Sequence, residues 1–134
     1  MSQGCILLVD DEPSLRRVMS RSLVRAGFDV TQAPNGAVAL ELAREQEFDV
    51  VISDVRMPRM GGLELLDRLQ RELPDLPVVL VSASTELEGR RQALSLGAFD
   101  FLRKPLELRK LHEVALRAIA AHTQRRETAE IKVA

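Results

Sequence analysis

Three short runs of uninterrupted apolar residues constrain this chain most: Cys5–Val9, Val50–Ile52 and Val78–Val81. They are too short for buried helices and suit strands covered on both faces, the situation found in a parallel sheet. Two further segments alternate instead. Phe28-Asp29-Val30-Thr31 and Phe99-Asp100-Phe101 set a polar side chain between apolar ones, as in outer strands with one face less covered. Helical stripes separate the strands. Leu15, Val18, Met19, Leu23 and Ala26 follow Pro13, a residue suited to a first turn, and stop at Gly27. Ala37, Leu40 and Ala43 follow Asn35; Leu66, Leu69 and Leu73 end at Pro74. Thr85 with Glu88 reads as a capping box opening a fourth helix. Leu108, Leu111, Ala115, Ile119 and His122 line a fifth, expected over Leu106–His122.

Strand–helix alternation of this kind predicts a doubly wound α/β domain with right-handed crossovers. With the first, third and fourth strands central, the five-stranded parallel sheet takes the order 2-1-3-4-5, a flavodoxin-like (βα)5 arrangement. The 134 residues suffice for one domain, expected over 1–122, and the polar stretch 123–134 reads as a helix end or linker. With aromatics at only 3%, the core must be built of Leu, Val, Ile and Ala, and no platform exists for stacking bases. The 19 basic residues are balanced by 20 acidic ones, which argues against nucleic-acid binding by phosphate neutralisation. Cys5 has no partner for an internal disulfide and sits in an apolar run as a small buried side chain. That run stops at Asp10, with no basic segment before it, so neither a signal peptide nor a membrane span is expected. A cytoplasmic location follows as the expectation.

Ligands of such sheets bind beyond the carboxyl ends of the strands, where the strand order reverses. The residues that fall there are Asp10-Asp11-Glu12 after the first strand, Ser53-Asp54 at the end of the third, Ser82 at the end of the fourth and Lys104 after the fifth. Aspartates converging on one small site repel one another unless protons or a cation neutralise them. Carboxylate oxygens without His or Cys favour Mg²⁺ or Mn²⁺. Lys104 adds a point charge and Ser82 a hydroxyl, which completes a phosphoryl-transfer site with Asp54 as nucleophile. Taken singly, Asp11 serves as well as a helix cap and Lys104 as a surface lysine; the signal is their joint placement at one end of successive strands.

The chain resembles the receiver domain of two-component response regulators. The matching pieces are Leu7-Leu8-Val9-Asp10-Asp11-Glu12, Asp54-Val55-Arg56-Met57-Pro58-Arg59-Met60-Gly61-Gly62, Val81-Ser82-Ala83-Ser84, Gly97-Ala98 and Phe101-Leu102-Arg103-Lys104-Pro105. The resemblance implies that Asp54 is the phosphoacceptor, supplied by a sensor histidine kinase or phosphotransfer protein. It implies that Asp11 holds the metal directly and Asp10 partly through water, with the backbone carbonyl of Arg56 as a further ligand. Lys104 would contact the phosphoryl group, Ser82 would be the switch hydroxyl and Phe101 the switch aromatic, acting on the face of the fourth helix, fifth strand and fifth helix. That face would engage an output domain or protein, or a second copy of the chain. A receiver is a switch rather than an enzyme, catalysing only its own phosphorylation and slow dephosphorylation.

Some positions depart from the family pattern. Phe101 replaces a frequent Tyr, so the ring should favour a buried position, and Leu106 replaces a frequent Phe. Glu113 and Val114 stand where members that dimerise to drive winged-helix binding of DNA carry a basic residue. His112 and His122 read as ordinary helix residues, because a phosphotransfer histidine belongs on a helical bundle. Three alternatives are weaker. A Mg²⁺-dependent phosphohydrolase needs an acid where Arg56 stands, and a flavin carrier needs a phosphate loop where Asp10-Asp11-Glu12 would repel the anion. A pseudo-receiver, a module for protein contacts, would have lost one of the acidic, hydroxyl or lysine residues.

Overall fold

The apolar run Cys5–Val9 forms β1, the middle of the sheet, with Asp29–Ala33 (β2) on one side and Val50–Asp54 (β3) on the other. Val78–Ser82 (β4) pairs with β3, and Asp100–Arg103 (β5) closes the far edge, so the order is β2-β1-β3-β4-β5, all parallel. This computed structural model describes residues 2–83 and 87–133, the side chains of 87–88 and 132–133 excepted. Ser84, Thr85 and the side chain of Glu88 therefore lie outside the described residues, and with them the expected capping pair.

Alternation along the central strands divides their side chains between two cores. Leu7, Val9, Val51 and Leu80 face one side, where α2 (Gly36–Glu45), α3 (Gly62–Glu72) and α4 (Leu87–Ser95) pack through Leu40, Leu66, Leu69 and Ala93. Ile6, Leu8, Ile52 and Val79 face the other, under α1 (Pro13–Arg25) and α5 (Leu108–Val133), which contribute Leu23, Leu111 and Ala115. Because both faces are covered, strands without polar alternation bury nearly every side chain, at about 25 cal/mol per Å² of apolar area removed from water. Cys5, expected to be buried, is only half-buried because it opens β1 at the rim of the sheet, and Asp54 at the end of β3 is half-buried too.

Several local expectations shift. In α1 the buried arc runs through Met19, Ser20 and Leu23, which turns Val18 outward to 53% exposure. In α2 the buried side is Ala39, Leu40 and Ala43, and Ala37 is exposed. The second strand begins at Asp29 because the Phe28 amide still donates to Leu23 O at 3.1 Å, holding Phe28 buried in the turn after α1. The fifth helix starts two residues later than expected, at Leu108, itself exposed, and continues to Val133. Its apolar stripe ends at His122, but Arg, Glu and Ala in the remainder are good helix formers. His122 is buried, with Nδ1 3.0 Å from Asp49 Oδ1, while the other Asp49 oxygen accepts from the Cys5 amide at 2.8 Å. Nε2 of His112 lies 2.8 Å from Ser22 Oγ, linking α5 to α1. Both histidines thus have structural partners.

Candidate functional site

Parallel register carries the candidate site residues to one edge. Val9 pairs with Ser53 and Asp54 with Val81, so Asp10 emerges beside Asp54. Ser82 pairs with Arg103, and the Lys104 amide continues that ladder to Ser82 O at 2.9 Å. Asp10, Asp11 and Asp54 each offer a carboxylate oxygen, and the three oxygens lie within 4.8 Å of one another. The Lys104 ammonium donates to Asp54 Oδ2 at 3.0 Å and lies 3.7 Å from Asp10 Oδ2.

Burial makes this charge cluster consequential. Side-chain exposure is 1% for Asp10, 11% for Asp54 and 22% for Lys104, while Asp11 is open to solvent. Burial pushes the Asp10 carboxyl above the usual carboxylate range; the Glu12 amide and Lys104 charge oppose this, and the charges of Asp54 and Asp11 reinforce it. For Lys104, burial favours the neutral amine, but the hydrogen bond and charge of Asp54, then Asp10 and Asp11, outweigh it and hold the pKa above its ordinary value. A set of hard oxygens with excess negative charge and one open side fits a divalent cation retaining water.

The raised pKa of Asp10 has a consequence for stability. Between the ordinary carboxylate value and the raised one, the folded protein binds more protons than the unfolded chain, so stability falls as pH rises through that window. The penalty is at its largest above that window. Replacing Asp10 by Asn is expected to stabilise the metal-free protein by about 1 kcal/mol, read as a higher midpoint in urea at pH 7. An unchanged or lower midpoint would mean that Asp10 is not under electrostatic stress.

The loop after β3 is shaped by close backbone approach. Gly62 donates to Val55 O at 2.9 Å, and a Cβ on Gly62 would fall on the Asp54 carbonyl oxygen and 3.0 Å from Val55 Cα. Arg59 and Met60 take left-handed conformations, φ 55° and 84°, and their carbonyls accept from Ala37 and Gly36 at 3.3 and 3.1 Å. The first amides of α2, which have no partner within the helix, thus hold the loop containing Arg56. Arg56 itself has an exposed side chain two residues beyond Asp54. Ser82 is buried at the end of β4, and Phe101 is buried in β5 against the core beneath α4.

Two contacts here had no sequence signal. Arg90 of α4 donates to the Phe101 carbonyl at 3.1 Å, and Arg16 of α1 donates to the Asp10 carbonyl at 2.7 Å. An arginine in a helix reads as a solvated face until the fold brings a carbonyl to it. A cleft of about 400 Å³ at the opposite end of the domain, lined by Phe48, Leu73 and His122 among others, shares no residue with the acidic cluster.

Residues 6–116 match the response regulator receiver domain family. The chain is 35% identical over 133 residues to the DNA-binding transcriptional regulator NtrC of Escherichia coli K12, covering 99% of this chain and 28% of that protein. It is 37% identical over 131 residues to the response regulator protein PilR of Pseudomonas aeruginosa, covering 98% and 29%. It therefore spans less than a third of the length of these curated relatives. Among solved structures, NtrX from Brucella abortus superposes with a TM-score of 0.89 at 32% identity, over 98% of this chain and 30% of that one. The chemotaxis protein CheY4 of Vibrio cholerae gives 0.81 at 32% identity, over 86% and 98%. With the strand order and the acidic edge already established, these matches carry one conclusion: the chain is a receiver domain of the two-component response regulator family.

Proposed function

We propose that Asp54 accepts a phosphoryl group from a phosphohistidine on a partner kinase or phosphotransfer protein, and that the domain then changes its α4-β5-α5 face. The observation that carries this reading is the convergence of three carboxylates and one ammonium at the edge of the sheet. Asp10, Asp11, Asp54 and the Arg56 carbonyl would hold Mg²⁺ (or Mn²⁺), which would supply the positive charge that two anions need to approach one another. An Asp54 oxygen attacks phosphorus, the P–N bond to the histidine breaks, and the imidazole leaves with that electron pair and takes up a proton from water. Lys104 moves its hydrogen bond from the carboxylate to a phosphoryl oxygen. The Ser82 hydroxyl donates to another, and Phe101 repacks into the space that Ser82 leaves. The receiver unit is 1–122, and 123–134 is the helix end or linker, α5 running on through it to Val133. The catalytic role extends only to the domain's own phosphorylation and slow hydrolysis. No helix among the described residues is long and apolar enough to cross a membrane, which accords with a cytoplasmic setting.

α4 is the element suited to remodelling: its only fully buried side chain among the described residues is Ala93, and it contains Gly89. Incubation with Mg²⁺ and acetyl phosphate should add the mass of one phosphoryl group to the intact protein, labile to base. Asp54→Asn and metal-free samples should gain none. Amides of α4 and β5 should then exchange at altered rates in the modified protein. Absence of both added mass and cation binding would make the chain a protein-contact module instead.

A further inference from the structure

Asp10 is held at every polar atom. Its amide donates to Ala33 O at 3.2 Å, Oδ1 accepts from the Glu12 amide at 2.9 Å, and Oδ2 faces Lys104 at 3.7 Å. Its carbonyl accepts from Arg16 Nη1 at 2.7 Å, a short charge-assisted bond. Arg16 is itself braced: Nε donates to Gln32 Oε1 at 3.1 Å, and Gln32 Nε2 reaches Ser20 Oγ at 3.3 Å. Asp11, by contrast, is exposed, and its side chain makes no hydrogen bond among the described residues. Its carboxylate nevertheless lies within the 4.8 Å cluster. What aims it is the Asp10–Asp11 peptide plane, and that plane is gripped by Arg16 through the carbonyl oxygen.

We propose that Arg16 is a positioning residue for the cation site, clamping the Asp10–Asp11 peptide so that the Asp11 carboxylate is presented to the ion; this rests on the cation binding proposed above. Two effects of Arg16 oppose each other. As a nearby positive charge it disfavours a cation, so its removal on electrostatic grounds alone would tighten binding. As a clamp it preorganises a ligand, and loss of such outer support costs about tenfold or more in metal affinity. Positioning wins if the weaker-binding outcome is seen. Lysine keeps the charge but cannot span the carbonyl and Gln32 with one planar fork.

The test is Mg²⁺ titration by calorimetry on the unphosphorylated wild type, Arg16→Lys, Arg16→Met and Gln32→Met, together with exchange of the Glu12 amide in metal-free protein. Both Arg16 variants should bind Mg²⁺ about tenfold more weakly, with faster Glu12 exchange. Gln32→Met, which leaves Arg16 in place, should shift both readings less and in the same direction; it also decides the matter should the Arg16 variants not fold. Tighter binding by Arg16→Met with unchanged binding by Arg16→Lys would reduce Arg16 to a charge and overturn the proposal, as would wild-type affinity and exchange in all three. If the wild type bound no Mg²⁺, the proposed cation site would fall by itself. Glu12 exchange would then decide the clamp alone, faster in Arg16→Lys sustaining it and unchanged overturning it.

Discussion

Gly62→Ala should destabilise the protein by about 3 kcal/mol, the upper part of the usual range for overpacking. Two effects compete. Gly62 opens α3, where alanine has the better helix propensity by about 1 kcal/mol. Against this, the added Cβ meets the Asp54 carbonyl and the Val55 Cα, both backbone atoms that cannot rotate away. Relief requires the end of β3 or the start of α3 to move, so phosphoryl uptake at Asp54 should fall as well. Gly89 provides the contrast, since a Cβ there meets nothing within 4 Å. Gly89→Ala should gain roughly the propensity difference that Gly62→Ala forfeits. Urea denaturation of the two variants reads both signs; a stabilised Gly62→Ala would mean that the backbone around Asp54 yields easily.

The second large effect is expected at Lys104. Lys104→Met leaves the buried Asp10 and the nearly buried Asp54 facing each other without the ammonium that pairs with both. Removing one partner of a buried ionic group typically costs about 1–3 kcal/mol or more, and about 2 kcal/mol is expected here in metal-free buffer at pH 7. The loss should be reversible in two ways. Mg²⁺ at a hundred times its dissociation constant returns about 2.7 kcal/mol by mass action. Lowering the pH also helps, because Lys104 is one of the influences that hold the Asp10 pKa down. Without it the folded-state value rises further, the penalty lies above that value, and stability returns as the pH falls through it. A variant whose midpoint in urea ignored both Mg²⁺ and pH would show that the cluster is not stressed. Restoration by Mg²⁺ should not restore full switching, because the ammonium that would move from Asp54 to a phosphoryl oxygen is gone and Ser82 is left to act alone.

Much of this architecture was legible in the residues because it depends on short-range regularities. The run Cys5–Val9 defines β1 to the residue, and the contrast between unbroken runs and alternating Phe-Asp segments ordered the strands. Covering both faces of a strand requires apolar side chains at every position, and that requirement is visible without any partner. Asp10, Asp11, Asp54 and Lys104 could be grouped for a related reason. In a parallel sheet the carboxyl ends of all strands lie along one edge, so residues far apart in sequence become neighbours by topology alone.

What tertiary structure decided is whatever depends on the direction in which an element faces its neighbours. Helical spacing admitted Val18 to the stripe of α1, but packing against α5 and the sheet centred the buried arc on Met19, Ser20 and Leu23. The extent of α5 beyond His122 followed from helix propensity, and from ion pairs such as Arg126 with Glu47 at 3.8 Å, once the apolar stripe had ended. The grips of Arg16 on the Asp10 carbonyl and of Arg90 on the Phe101 carbonyl were invisible beforehand. A backbone carbonyl has the same chemistry at every position, so no residue type marks which one a distant guanidinium will reach. By itself the sequence determined which groups gather at the edge of the sheet, because strand order follows from burial. How firmly each is held, and by which arginine, was decided only by the packing of α1 and α4 against that edge.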